Sequence, residues 1–296
     1  EAYVRAASKN KWLEGHGLEH WTEFYTAYGI ELQKRFFGHF LKGEDTGWDK
    51  QPPVQLLVRH LDRFEKRLEE DWPIPRTIWT KFYLDPDGMR LTDAAPTSSA
   101  TLSFDALGDG LTFMSDPLAS ETEITGPSAA KLMVSSSTED ADLFVVLRVF
   151  DGSGEEVTFQ GAIDPHTPIG QGWLRASHRK LDPSLSQPWR PYHTHDETQL
   201  LTPGQSVGVD VEIWPTSIVV PAGYRIGLTM RGKDYENANT SGERLSNFKN
   251  ELKGCGPFLH DDPRDRPAGV FDGETTLHVG DSETGYILLP FIPPKP

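Results

Sequence analysis

One cysteine, Cys255, is the whole thiol content of the 296 residues. That scarcity excludes an internal disulfide, a thiolate zinc cluster and a CxxC redox pair, and leaves a lone thiol near a loop. Long apolar runs are missing too. No stretch of about eighteen apolar residues occurs, so no membrane-spanning helix is expected. The opening "EAYVRAASKNKW" has neither an apolar h-region nor an initiator methionine, and the chain is read as starting partway through a longer protein. Positive charge is also short: 29 Lys and Arg against 44 Asp and Glu leave a net charge of −15. With no basic run to offset it, nucleic acid and anionic membrane surfaces are repelled at long range. What is present, 36% hydrophobic and 25% charged residues, is the composition of one large or two medium folded domains.

The chain divides unevenly. From Tyr28 to Leu41 the spacing is helical, with Leu32, Phe36 and Phe40 on one face and Gly43 at the position of a C-terminal cap. Upstream, "KWLEGHG" reads as a short strand ending in a Gly-bounded loop that carries His16, followed by the aromatic-rich "LEHWTEFYTAYG". Residues 44–53, "EDTGWDKQPP", are polar and without period, and a boundary is expected there. This gives a first unit over residues 1–50 and a second over 51–296. After Pro53, short apolar or alternating runs recur between turn residues: Val54 to Arg59, Arg76 to Leu84, Lys131 to Ser135, Leu143 to Phe150, Val207 to Ile213, Tyr224 to Met230, Thr275 to Val279 and Tyr286 to Pro290. With 23 prolines and 27 glycines, this texture predicts a mainly β chain built around a β-sandwich. Residues 151–205 and 231–270 read as long ordered loops bearing Trp173, Trp189, Tyr192 and Phe258.

Several motifs invite a chemical reading. Gly204-Gln205-Ser206-Val207-Gly208 fits the G-x-S-x-G elbow of serine hydrolases, which needs a strand before the serine and a helix after it. Here "VGVDVEIWP" follows, a period-two strand pattern, so Ser206 is expected to begin a strand and to be a decoy. "YHTHDE" places His193 and His195 at i and i+2, where a strand would aim both at one metal with Asp196 or Glu197. The spacing departs from the cupin metal motif, and a polar surface loop is the plainer expectation. "FLHDDPRDRP", from His260 to Arg266, alternates in sign and reads as a solvated or self-paired loop rather than a calcium-seeking one. Trp173 and Trp189 are candidates for a carbohydrate platform or for core. His16, on a loop after a short strand and before a helix, stands where an α/β-hydrolase carries its general base; pattern alone leaves an ordinary loop histidine equally open.

The segments "KWLEGHGLEHWTEFY" and "LQKRFFGHFLKG" resemble the end of the catalytic domain in the cocaine esterase and X-prolyl dipeptidyl peptidase family of serine hydrolases. Downstream, "EITGPSAAKLMVSSSTEDADLFVVLRVFD", "GWLRASHRKLD", "LTPGQSVGVDVEIWPTSIVVPAGYRIGLTM" and "GPFLHDDPRDRP" are similar to that family's C-terminal jelly-roll domain. The resemblance implies a galactose-binding-like jelly-roll sandwich, preceded by the last strand, base loop and helix of an α/β-hydrolase domain. It implies His16 as triad base, with His20 as the fallback. The family's nucleophile and triad aspartate lie upstream of that histidine, so both are expected outside these residues and the chain alone is expected to be inert. No metal or organic cofactor is implied. The expected partner is the upstream catalytic domain, on the same or a cleaved chain, with a small ester or amide as substrate; a homo-oligomer is possible. One cysteine suits the cytoplasm, while a lost leader would allow secretion.

Overall fold

The polar stretch at 44–53 does not separate two sheets; it lies inside the crossover of one. In a computed structural model describing residues 1–238, 250–257, 259–280 and 284–295, α1 (Ala2–Arg5) precedes β1 (Leu13–Gly15). Two helices follow, α2 (Thr22–Tyr25) and α3 (Ala27–Lys42), and then β2 (Val54–Arg59) and β3 (Phe64–Glu69). β2 pairs in parallel with β1, Leu13 opposite Val54, and β3 closes this three-stranded sheet on the other side. Val54 to Arg59 was expected in the second unit. Its near-continuous apolar run is that of a parallel strand buried on both faces, which pattern alone does not distinguish from a sandwich strand.

The predicted helix is α3, one residue longer at each end. The Thr26 side chain accepts a hydrogen bond from Gly29 N at the start, and Gly43 closes the end at φ 68°, the left-handed geometry that glycine takes without steric cost.

The remaining strands are β4 (Ile78–Asp85), β5 (Arg90–Thr92), β6 (Ala100–Asp105), β7 (Leu111–Ser115), β8 (Thr122–Ser136), β9 (Asp142–Phe150), β10 (Gly170–Arg175), β11 (Val207–Val220), β12 (Arg225–Arg231), β13 (Glu274–Val279) and β14 (Tyr286–Phe291). A short helix, α4 (Ala268–Phe271), precedes β13. These strands form an eleven-stranded mixed sheet in the order β10-β9-β12-β7-β5-β4-β14-β8-β13-β6, with β11 paired to β8. The mainly β expectation is met. Residues 151–205, expected as loop, contain β10, and Phe258 with 239–249 lies outside the described residues.

Alternation explains the packing. Along β11, Val209, Val211 and Ile213 are buried while Asp210 and Glu212 point outward, and the buried set meets Leu132 and Ala130 of β8 in the main core. A second apolar cluster, Val54, Leu56, Val58, Ile74, Val219 and Ile292, locks the small sheet onto the large one. That contact fixes the position of the loop after β1.

Candidate functional site

His16 leaves the carboxyl end of β1, the end of a parallel strand at which α/β sheets build their sites. Its Nδ1 lies 3.1 Å from the Gly17 carbonyl oxygen. A carbonyl only accepts, so Nδ1 is the donor in this contact. Gly17 is required by contact: a Cβ there would sit 2.2 Å from the Phe64 ring. Leu18 follows at φ 62°, a strained conformation for a branched residue and one that clusters at functional sites. Glu19 is buried and accepts a hydrogen bond from Gln160 Nε2 at 3.1 Å. His20 is exposed, its ring edge-on to Trp21 with centroids 4.7 Å apart.

Both histidines line one cleft of about 790 Å³ between the two sheets. Its far wall is a β-bulge. The β11–β8 register shifts between Ile213 and Thr216, and Trp214-Pro215 bulges out there, leaving Trp214 64% exposed. Arg59 closes the floor: its guanidinium donates to Ser217 O at 3.2 Å and lies 4.3 Å from the Phe159 ring centroid. Burial lowers its pKa to about 10, so it remains a cation at neutral pH. Of the hydroxyls on this wall, Thr125 Oγ1 and Ser217 Oγ are 3.0 Å apart and bond each other, and Thr216 Oγ1 accepts from Arg59 at 3.5 Å. Among the described residues no serine or cysteine bonds the His16 ring. The cleft therefore offers two imidazoles, a fixed positive charge and an indole face, and among the described residues no serine or cysteine bonded to a histidine of the cleft.

The other candidates fall elsewhere. Ser206 precedes β11, after a turn in which Gln205 N bonds Thr202 O, and a strand rather than a helix follows it. Asp196 and Glu197 both accept from Lys180 Nζ at 3.1 Å and are not aimed at His193. Arg264 pairs with Asp262 within the segment, as the alternating signs predict, whereas Arg266 pairs with Asp142 of β9 and Asp265 with Arg175 of β10. Trp189 stacks on Trp79, centroids 4.4 Å and planes 10° apart, so one face of its ring is covered. Burial pushes the Cys255 thiol up to about 11, leaving it unreactive.

Arg59, Gln160 and Trp214 are the cleft residues that pattern reading missed. Trp214-Pro215 had a signal, a proline interrupting a clean period of two; Arg59 and Gln160 had none, because tertiary packing alone brings them to His16.

Residues 46–278 match the family described as X-Pro dipeptidyl-peptidase C-terminal non-catalytic domain. The chain is similar to a candidate serine esterase of Mycobacterium bovis, 28% identical over 235 residues that cover 68% of this chain and 35% of that protein. It is similar to the cocaine esterase of Rhodococcus sp. (25% identity, 71% of this chain, 40% of that one). A solved CocE/NonD family hydrolase from Staphylococcus aureus superposes with a TM-score of 0.85 at 26% identity, covering 98% of this chain and 50% of that chain. The chain thus spans half or less of the length of these relatives.

Proposed function

The chain belongs to the X-Pro dipeptidyl-peptidase C-terminal non-catalytic domain family over residues 46–278, and from that premise we propose that it is the C-terminal portion of a serine hydrolase of esterase, acylase or X-Pro dipeptidyl-peptidase type. In the intact enzyme a serine from the upstream catalytic domain attacks an ester or amide carbonyl. His16 Nε2 takes its proton and returns it to the leaving group, and an upstream aspartate replaces the Gly17 carbonyl at Nδ1. The acyl-enzyme is then hydrolysed by water, with no metal or organic cofactor. The large β unit serves as a jelly-roll domain that packs on the catalytic domain and shapes the cleft through Trp214 and Arg59. A soluble, cytoplasmic enzyme suits the single cysteine.

The observation that carries this reading is the position of His16: at the carboxyl end of β1, next to a strained Leu18, in a cleft shared by both sheets. A fluorophosphonate probe tests it. The reading expects no adduct on this chain, Ser206 included, and an adduct on the serine of the upstream domain in the intact hydrolase. Labelling of Ser206 would overturn it.

A further inference from the structure

Arg59, at the end of β2, has no counter-ion among the described residues, although the chain carries 44 Asp and Glu against 29 Lys and Arg. Other partly buried guanidiniums are paired: Arg67 with Glu123, Arg76 with Glu69, Arg148 with Glu156 and Arg266 with Asp142. Arg59 instead donates through Nε to Ser217 O and through Nη2 to Thr216 Oγ1, both neutral acceptors. Its Nη1 donates to no atom of the described residues and is not sealed from solvent. The Phe159 ring centroid lies 4.3 Å from the guanidinium and fixes the plane of the fork.

Two bonds to neutral oxygens could be made by an amide side chain, with no charge to desolvate. A cation held there costs free energy that an opposite charge has to offset. The lining of the cleft defines that opposite charge. Arg59 is the one permanent cation among the described residues on it, so a monoanion balances it and a doubly charged phosphoryl group does not. Glu14, the carboxylate on the lining, is bonded to the Tyr28 hydroxyl. Leu56, Leu57, Phe64 and Trp214 make much of the remaining wall apolar, which suits a hydrocarbon or aromatic body between the anion and the histidines.

We propose that Arg59 sets specificity by binding the free carboxylate of a monoanionic substrate, an ester or amide joined to that carboxylate through an apolar segment, with Nη1 as the donor of a charge-assisted bond. The reaction on that substrate rests on the hydrolase reading of the same cleft, whereas the carboxylate site can be read by binding alone.

The test measures kcat/KM of the intact hydrolase on two matched pairs. One places the carboxylate on the acyl side, the p-nitrophenyl monoester of adipic acid against p-nitrophenyl hexanoate; the other places it on the leaving group, 4-(carboxymethyl)phenyl acetate against 4-ethylphenyl acetate. In at least one pair the carboxylate member should be preferred by roughly tenfold or more, through a lower KM. Arg59→Met should cut that ratio by roughly tenfold or more, Arg59→Lys should restore part of it, and Arg264→Met, in an exposed loop, should leave it unchanged. Calorimetry of 4-phenylbutyrate and its amide on the same proteins reads the site without turnover: the acid should bind more tightly than the amide and lose that advantage in Arg59→Met. Turnover in neither pair with the acid still bound through Arg59 would refute the hydrolase reading and leave the carboxylate site standing. No preference in either pair, an Arg59→Met ratio equal to the parent's, or no binding of the acid overturns the proposal. If Arg59→Met fails to fold, the parent's preference and Arg59→Lys carry the test.

Discussion

Gln160 Nε2 donates a hydrogen bond to Glu19 Oε2 at 3.1 Å, tying a loop of the large β unit to the segment that carries His16. The two residues are 141 positions apart, so the His16 loop is positioned by the other sheet as much as by its own strand. Both side chains are buried, where a lost partner costs more than the bond itself contributes. Gln160→Ala should lower stability by about 1–3 kcal/mol, measured by urea denaturation. Gln160→Glu should be worse, since it sets a second carboxylate against Glu19. Wild-type stability in both variants would show that the loop is held by other contacts.

Glu69 supplies a pH-dependent clamp. Its side chain is 2% exposed, accepts from Arg76 at 2.5 Å and forms ion pairs with Arg67 at 2.6 Å and Lys295 at 3.4 Å. Burial alone would raise its pKa, but the Arg76 hydrogen bonds and the charges of Arg67, Arg76 and Lys295 outweigh that, and the carboxyl titrates below the usual 4.5. A depressed carboxylate stabilises the fold fully above the unfolded value and loses that contribution as pH falls through the folded one. Thermal melts should therefore show Tm dropping below about pH 4.5. Glu69→Gln should cost about 3 kcal/mol at neutral pH, because it takes the buried charge partner from the half-buried Arg76, and should flatten the acid limb. An unchanged acid limb in that variant would remove Glu69 from the account.

Along α3 and the segment before it, Phe24, Phe37, Phe40 and Leu41 are 55%, 49%, 44% and 76% exposed, beside an apolar groove of about 830 Å³ lined by Trp12, Phe36 and Trp48. Aromatic surface of this extent marks an interface, and the proposed partner is the upstream catalytic domain. The chain without that domain should self-associate in size-exclusion chromatography, and Phe37→Glu with Leu41→Glu should shift it towards monomer. A monodisperse parent chain would contradict this.

How far the sequence could be read depends on where a strand lies. β8, β9 and β14 sit inside the sheet and β11 pairs along β8, and their apolar residues stand out in the chain. β3, β5, β6, β7 and β10 were missed: β3, β6 and β10 are edge strands, while β5 and β7 lie inside the sheet but are only three and five residues long. "FEKRLE" and "ATLSFD" expose one face to water, and "GQGWLR" needs glycine where Gly172 meets the Glu212 backbone, so their patterns are weak. That His16 lies on a loop after a short strand and before helices was legible from its local context. Gln160, Arg59 and Trp214 reach it only through the packing of two sheets, which no local spacing encodes.

The most direct test of the central claim is kcat/KM for an activated ester, measured on the intact hydrolase carrying His16→Ala or His20→Ala. Loss of a triad base removes proton transfer in acylation and deacylation. His16→Ala should lower kcat/KM by roughly 10³-fold or more, with a native melting curve. His20→Ala should stay within a few-fold of the parent. Near-normal turnover in His16→Ala, or its collapse in His20→Ala alone, would contradict the assignment of His16 as the base.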